Sequence, residues 1–182
     1  EKTLDDEYDY TFDYWVDENG NRVDLASITA DMSLYAHFKK ELKSHTVYVY
    51  DVGGKTVEQM HTVKHGEALT GLSNPTLQGD EDKSYQFDKW VLVTDGKDAD
   101  FSKIESDLSV RPTFKTIFNN HYSDVKENDW FRSAVEYTVL NEIMFGISKT
   151  EFSPNTPTTR AMFTAVLYRM EGSKDVSSLQ SI

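Results

Sequence analysis

The middle of the chain alternates apolar and polar positions with a period of two residues, which is typical of β-strands. In HTVYVYDV (45–52), β-branched and aromatic residues alternate along the segment. GGK (53–55) then provides a turn, and TVEQMHTVKHG (56–66) returns as a second extended segment. Together these segments predict a β-hairpin.

Two later segments extend this sheet. YQFDKWVLV (85–93) predicts a third strand and LSVRPTFKTI (108–117) a fourth, in which Pro112 indicates an edge or a bulge. A short helix is predicted in DFSKIESD (100–107), just before the fourth strand. The four strands predict a small, mostly antiparallel sheet over residues 44–117, which is marginally stable alone because of its size.

The chain contains an internal repeat. Two blocks recur in the same order: YTFDYWV (10–16) as YQFDKWV (85–91), and DLASITADMSLYAHF (24–38) as DFSKIESDLSVRPTF (100–114). The interval between the blocks differs by one residue, which falls in a loop, where insertions are tolerated. Residues 44–117 are therefore predicted to be a complete β repeat. Residues 1–43 are predicted to be the C-terminal part of another copy, whose opening hairpin we expect to precede residue 1.

The apolar period then changes to that of a helix. NDWFRSAVEYTVLNEI (128–143) is predicted to be helical, with Asn128 or Asp129 as its N-cap. A loop punctuated by Gly and Pro leads to a second helix. We predict a helix–loop–helix unit over residues 118–173, of the kind that usually stacks on copies of itself, and a linker or tail over residues 174–182.

The second helix begins with an unexpected residue. Thr158 or Thr159 is its predicted N-cap, and the preceding proline prevents extension backwards. Arg160 therefore lies in the first turn, where the free N–H groups disfavour a cation by a few tenths of a kcal/mol. From the residues alone, Arg160 pairs with a nearby acid such as Asp124 or Glu151, points into solvent, or contacts an anionic ligand.

Composition narrows the classes of function. The net charge of -12 argues against nucleic acid, whose affinity comes from Lys and Arg contacts to phosphate, and against acidic lipid surfaces. No apolar run of about 20 residues and no signal-peptide pattern occurs, so no membrane segment is predicted. The absence of cysteine excludes disulfides and thiol nucleophiles. The abrupt start at EKTLDDEYDYTF indicates a fragment of a longer protein.

No motif predicts catalysis or a cofactor. The acids are scattered over polar faces, whereas acid–base chemistry needs them to converge in a cleft. DENGNRVD (17–24) superficially resembles a calcium loop, but Asn19-Gly20 predicts a hairpin turn instead. His61 and His65 lie in a strand pattern without a third ligand, so no metal site is predicted.

The repeated block resembles a known surface repeat. FDYWVDENGNRVDLASITADMSLYAHF (12–38) is similar to the Listeria–Bacteroides repeat, which is related to the internalin B-repeats. The similarity rests on the aromatic–x–x–Trp core, the acidic NG turn and the DMSLYAHF ending, and it covers residues 1–117. It implies β-grasp-like modules in an extracellular protein, used as a stalk or adhesive spacer. With the helical unit, the implied fold class is α+β and multi-domain.

Residues 122–172 resemble an S-layer homology repeat through YSDV, WFRSAVEYTVLNEIMFG, FSPN and TTRAM, in that order. This family tethers proteins to pyruvylated secondary polysaccharides of the bacterial cell wall, usually with three repeats that form a three-pronged bundle. Its Thr-Arg-Ala-Glu motif opens the second helix, and the arginine contacts the acidic pyruvyl ketal. Here Thr159, Arg160 and Ala161 match, whereas Met162 replaces the glutamate and removes the capping-box partner.

The resemblance implies a carbohydrate site at five residues: Arg160, Thr159, Trp130, Asp124 and Gly146. Arg160 is expected to contact the anion, with Thr159 and the first-turn N–H groups orienting it. The other three match recurring family positions, and each has a structural alternative. Trp130 is favoured as a core residue and Asp124 as a turn or cap residue. Gly146 supplies a positive φ or lets sugar approach the backbone.

The expected function is that of a non-catalytic fragment of a secreted Gram-positive surface protein, extracellular and associated with the cell wall. The β repeats would be spacers, and the helical repeat part of an anchor to acidic, pyruvylated polysaccharide. Because the grooves of the family form between neighbouring prongs, a homo-trimer or further S-layer homology repeats would complete the site. The alternative is an adhesive module in which the β repeats bind a protein or glycan partner.

Overall fold

The computed structural model describes residues 5–173 and shows a small α+β protein, mostly β sheet with two helices. Its elements in chain order are β1 Tyr8–Val16, β2 Tyr35–Leu42, β3 Ser44–Tyr50, β4 Val57–Lys64, β5 Lys83–Leu92, β6 Leu108–Phe118, α1 Arg132–Leu140 and α2 Arg160–Met170. The predicted tail over 174–182 and the first four residues of the partial repeat lie outside the described residues. Within the described part, neither helix has the length and apolar character needed to cross a bilayer.

The chain divides into two compact units. One consists of the described residues up to Asn74 together with Lys89–Thr113, and the other of Pro75–Asp88 together with the described residues from Phe114 onward. β5 and β6 each contribute residues to both units. The first unit holds the partial repeat and the core of the complete repeat, and the second holds the helical segment.

All four strands predicted for the complete repeat are present, and they form one sheet in the order β4-β3-β6-β5. β3 and β4 are antiparallel, with Ser44 opposite Lys64, as the hairpin pattern predicted. β3 and β6 are parallel, with residues 47–49 opposite 108–110, so the centre of the sheet is mixed. The edge predicted from Pro112 is wrong, because β6 lies between two strands and the proline falls beyond the residues that pair with β3.

The core of the complete repeat comes from alternating strand positions and one loop residue. Five residues are buried: Val47, Val49, Val63, Ile104 and Val110. The two valines of β3 are two residues apart and therefore point to the same face. Burying each such side chain contributes about 1.5–3 kcal/mol relative to leaving it exposed.

The short helix predicted over residues 100–107 is wrong, because no helix is present in this part of the described chain. Ile104 instead exchanges backbone hydrogen bonds with the segment after β4: its N–H donates to Glu67 O at 2.9 Å, and its carbonyl accepts from Gly66 N at 2.7 Å. Its side chain is fully buried. Tertiary pairing and burial outweigh the local helical preference.

The turn predicted at Asn19-Gly20 is confirmed. Gly20 has φ +81°, in the left-handed region that favours glycine. The carboxylate of Asp17 accepts hydrogen bonds from the N–H groups of Asn19 at 2.9 Å and Asn21 at 2.8 Å. This turn follows β1, which pairs with β2 in a two-stranded antiparallel sheet.

The sequence repeat is also a structural repeat. Phe12 and Phe38 pack edge-to-face in the partial copy, with ring centroids 6.2 Å apart. The equivalent Phe87 and Phe114 do the same in the complete copy, at 6.1 Å. The bridges that close the turn also recur, Val16 with Arg22 and Val91 with Asp98.

The helical segment has its own core, to which α1 contributes and α2 does not. Its buried residues are Phe118, Tyr122, Val125, Val135 and Val139. Both helices are confirmed, but α1 begins at Arg132 and uses neither Asn128 nor Asp129 as its cap. Asp129 instead accepts a hydrogen bond from Lys126 N in the preceding turn, and Phe131 occupies the cap position without a side-chain bond.

Candidate functional site

α2 begins where the sequence predicted. Thr159 is extended, with φ -78° and ψ 162°, and its hydroxyl accepts a hydrogen bond from Met162 N at 3.2 Å. Its carbonyl accepts the first helical bond, from Phe163 N at 3.0 Å. Thr159, and not Thr158, is therefore the N-cap, and Arg160 is the first helical residue.

The side chain of Arg160 is exposed and makes no hydrogen bond or ion pair with any residue between 5 and 173. Neither acid considered as its partner, Asp124 or Glu151, forms an ion pair with it within that range. Thr159 accepts from one first-turn N–H group, whereas those of Arg160 and Ala161 have no intrahelical acceptor. A cation and two N–H donors are thus exposed at the same helix end.

Asp124 fixes the loop that precedes α2. Its carboxylate accepts hydrogen bonds from the N–H groups of Phe152 at 2.9 Å and Ser153 at 2.7 Å. Ser153 adopts φ +64°, a conformation uncommon for residues other than glycine. Burial raises the pKa of Asp124, but the backbone hydrogen bonds and the nearby charge of Lys126 together lower it, and the pKa lies below its usual value.

Gly146 is required for close packing, and the positive φ predicted for it is wrong. The left-handed residue after α1 is Glu142, with φ +58°. A Cβ on Gly146 would clash with the Tyr122 ring and would lie 2.6 Å from Glu151 O and 2.8 Å from Ser148 O. Gly146 N also donates to the Tyr122 hydroxyl at 3.3 Å. Burial is the main cause that raises the pKa of this tyrosine.

Trp130 is 90% exposed, so its predicted place in the core is wrong. The reason is the later start of α1 at Arg132, which leaves Trp130 in the preceding turn rather than on the helical face. Its ring packs edge-to-face on Phe131, with centroids 5.6 Å apart. The remaining indole surface faces solvent.

Gly146 lines a cleft of about 310 Å³ beside α2. The other lining residues are Met144, Phe145, Ile147, Met162, Ala165, Val166 and Arg169. Arg169 donates to Ile143 O at 3.1 Å, and its guanidinium lies 5.2 Å from the centre of the Phe145 ring. Arg160, Thr159, Trp130 and Asp124 do not line this cleft, so the five candidate residues are not gathered there.

Arg160 and Arg169 lie on different faces of α2. Nine residues at 3.6 per turn place them on roughly opposite sides of the helix. The sequence prediction missed Arg169, although its place in the last helical turn, where cations are favoured, was a usable signal. It also missed the central packing role of Tyr122, for which the pattern gave no signal beyond aromatic character.

The apolar surface of α2 is largely exposed. No residue of this helix is buried. Its exposed large apolar residues are Met162, Phe163, Leu167, Tyr168 and Met170. This differs from α1, which buries Val135 and Val139.

Comparison with known proteins finds a family match in the segment that contains the candidate residues. Residues 121–162 match the family model of the S-layer homology domain. The chain is also 38% identical over 75 residues to the surface-layer 125 kDa protein of Lysinibacillus sphaericus. It is 33% identical over 58 residues to the amylopullulanase of Thermoanaerobacterium thermosulfurigenes. These similarities cover 34% and 32% of this chain, and 6% and 3% of those proteins.

The matched segment spans α1, the loop and the start of α2, and it includes all five candidate residues. It lies within the helical segment predicted over residues 118–173. Residues 121–162 are therefore an S-layer homology domain, a non-catalytic anchoring module.

Proposed function

We propose that this chain is part of a Gram-positive cell-surface protein and that its S-layer homology domain anchors the protein to an acidic, pyruvylated wall polysaccharide. The family match supports an anchoring role. One relative is by name a surface-layer protein, which supports a place at the cell surface. The β repeats act as the spacer that joins the anchor to the rest of the protein.

The observation that carries this proposal is the exposed Arg160 at the start of α2. Within residues 5–173 its guanidinium has no acidic partner, although the chain carries a net charge of -12. The helix end itself disfavours a cation. A ligand carboxylate removes this penalty, because it accepts from the guanidinium and from the first-turn N–H groups together.

Met162 in place of the family glutamate is compatible with the same ligand. The family glutamate is the charged partner of a capping box, and its loss leaves Arg160 and the free N–H groups in place. The Thr159 hydroxyl still accepts from Met162 N, so the helix start is preserved without that charge. Arg160 and the free N–H groups then act on the ligand alone.

The other candidate residues take different roles. Trp130 offers an exposed aromatic surface for a sugar ring. Asp124 and Gly146 act indirectly, since the carboxylate holds residues 152 and 153 and the glycine admits the Tyr122 ring. Both therefore set the position of the loop that leads to Arg160.

The exposed side of α2 supports assembly with further S-layer homology repeats, or with two copies of this chain in a homo-trimer. Contiguous exposed apolar residues mark interaction surfaces when they are not scattered singly. Phe163, Leu167 and Met170 recur at four- and three-residue spacing, which places them on one helical stripe. Burying that stripe between prongs would also complete the sugar groove that the resemblance implies.

The joint between the repeats supports the spacer role. Only Lys43 separates β2 from β3. Its N–H donates to Glu7 O at 2.9 Å in the partial repeat, and its carbonyl accepts from His65 N at 2.8 Å in the complete repeat. Repeats joined in this way hold a defined spacing, unlike modules on a flexible linker. We propose that both are β-grasp-like repeats of the Listeria–Bacteroides type.

The test is co-sedimentation of the full chain with purified cell walls that carry pyruvylated polysaccharide, and with the same walls after chemical removal of pyruvate. We expect wild-type chain to pellet with intact walls, and Arg160→Ala to bind about tenfold more weakly, as expected for a lost charged hydrogen bond. Arg160→Lys should be intermediate because lysine keeps the charge but lacks the bidentate fork. Each of these chains is fused to a trimeric coiled coil, so that three S-layer homology domains are brought together as neighbouring prongs.

Arg22→Ala is the matched control, because it removes the same charge at a different place. The guanidinium of Arg22 lies over the Tyr14 ring in the partial repeat. It should bind like wild type. If neither removal of pyruvate nor Arg160→Ala weakens binding to the walls, the recognition site lies outside the S-layer homology domain. That outcome would favour the β repeats as an adhesive module.

A further inference from the structure

Two apolar residues of the partial repeat, Ile28 and Met32, are more exposed than their counterparts in the complete repeat, while Val16 and Leu34 are half-buried. Alignment of the two copies pairs Ile28 with Ile104 and Leu34 with Val110. Ile28 is 42% exposed, whereas Ile104 is fully buried. Four residues of the partial repeat, Val16, Ile28, Met32 and Leu34, correspond to Val91, Ile104, Leu108 and Val110, and we call them the open face.

In the complete repeat, the hairpin β3–β4 covers the equivalent positions. β3 runs parallel to β6, with Val47 opposite Leu108 and Val49 opposite Val110. Both valines belong to the same buried cluster as Ile104. The corresponding segment of the partial repeat, residues 32–34, has no paired strand among the described residues.

A carboxylate at the edge marks where the hairpin strand begins. In the complete repeat, Asp107 accepts a hydrogen bond from Thr46 N at 2.7 Å, at the start of β3. The equivalent residue in the partial repeat is Asp31. Its carboxylate is exposed and binds no donor within residues 5–173. The partial repeat therefore keeps the acceptor without its strand.

Two clefts flank the same edge. One, of about 270 Å³, is lined by residues that include Ile28, Asp31 and Met32. The other, of about 430 Å³, includes Asp17, Met32 and Ser33. Open volume, an unpartnered acceptor and exposed apolar side chains thus occur together along residues 28–34.

We propose that the open face is a docking site for a β-hairpin with the sequence pattern of β3–β4. Its first strand lies parallel to residues 32–34, as β3 lies on β6. Two β-branched residues, two positions apart on that strand, cover Ile28 and Leu34. The N–H group just ahead of them donates to Asp31. This pattern specifies the occupant, because in the complete repeat a hairpin with this pattern covers the equivalent residues.

The test adds the hairpin to the full chain. A copy of residues 44–82 is fused directly ahead of Tyr8, the position equivalent to Lys83, so that the new hairpin precedes β1 as the original precedes β5. Amide hydrogen exchange is measured at residues 32–34. We expect exchange there to slow about 100-fold relative to the unfused chain, as for amides drawn into a cooperative core.

The matched control is the same fusion with aspartate at the two positions copied from Val47 and Val49. It should leave exchange at residues 32–34 as fast as in the unfused chain. Equal protection in both fusions, or protection in neither, would overturn the proposal. Dimers of the unfused chain that protect these amides would overturn it in favour of a second copy as occupant.

Two further variants keep the test independent of the fusion junction. Ile28→Asp should leave the unfused chain unchanged but abolish the protection gained by fusion. Asp31→Ala should reduce that protection about fivefold, since one hydrogen bond is lost. Destabilisation of the unfused chain by Ile28→Asp would contradict an open face.

Discussion

The two β repeats share their strands and turns but differ in whether those strands have a core. Each has the same edge-to-face phenylalanine pair and the same bridged turn. Yet no described residue of the partial repeat is buried, whereas Ile104 and Val110 of the complete repeat are fully buried. Local sequence is thus sufficient for strands and turns, while burial depends on the hairpin β3–β4.

The two helices repeat this contrast. α1 buries Val135 and Val139 against the loop around Tyr122, whereas α2 buries nothing. Apolar substitutions should therefore be costly in the complete repeat and in α1, and nearly neutral in the partial repeat and in α2.

The largest difference should separate Ile104→Ala from Ile28→Ala. The first leaves a cavity in a closed core and should lower the free energy of unfolding of the complete repeat by about 4 kcal/mol. The second shortens an exposed side chain and should change the free energy of unfolding by less than about 0.5 kcal/mol. Urea unfolding of the full chain measures both. Equal losses would mean that the partial repeat has a core after all.

Gly146→Ala should destabilise the S-layer homology domain by about 3 kcal/mol, because the added methyl group meets the Tyr122 ring and two backbone carbonyls. Gly53→Ala is the control. The nearest atom to its new Cβ is 3.7 Å away, so its effect should stay below about 1 kcal/mol. Thermal unfolding followed by near-ultraviolet circular dichroism measures both changes. A neutral Gly146→Ala would show that the loop can move aside.

Val139→Ala should cost the helical segment about 2 kcal/mol, since its side chain is buried in α1. Leu167→Ala on α2 removes more apolar surface but from an exposed position, and should cost less than about 0.5 kcal/mol in the monomer. The order should reverse for assembly, because Leu167 belongs to the proposed contact stripe. Sedimentation equilibrium in the presence of further repeats measures that second effect. Identical assembly of both variants would exclude the stripe.

The smallest effect should be that of Asp124→Asn, about 1 kcal/mol at neutral pH, because an amide oxygen replaces the charged acceptor of two backbone donors. The folded-state pKa of Asp124 lies below its ordinary value of 3.8. Its contribution is therefore present above that value and is lost as pH falls through the folded pKa. The difference between wild type and variant should shrink at pH values below 3.8. A constant difference from pH 7 to pH 2 would mean that charge is not involved.

The parts that could be predicted from sequence are those fixed by local patterns. The alternation in β3 and β4 and the turn at Asn19-Gly20 depend on neighbouring residues, and both were predicted correctly. The same holds for the cap of α2 at Thr159, where a hydroxyl, a proline and helical spacing coincide. The S-layer homology domain was recognisable from the order of its short motifs.

The parts that could not be predicted depend on contacts distant in sequence. Ile104 lies in an extended segment because it pairs with residues after β4. Trp130 is exposed because α1 starts two residues beyond it. Gly146 is needed because the Tyr122 ring, from the segment before α1, fills the space of a side chain. Arg160 has no acidic partner within residues 5–173, and this too depends on where acids distant in sequence point.

The parallel pairing of β3 and β6 has a mechanical consequence for a repeat of this design. The chain enters the complete repeat at the first residue of β3 and leaves it at the last residue of β6, and these two strands are neighbours. Tension along the polypeptide therefore pulls them in opposite directions along their length. The hydrogen bonds between residues 47–49 and 108–110 are then strained together in shear rather than opened one after another.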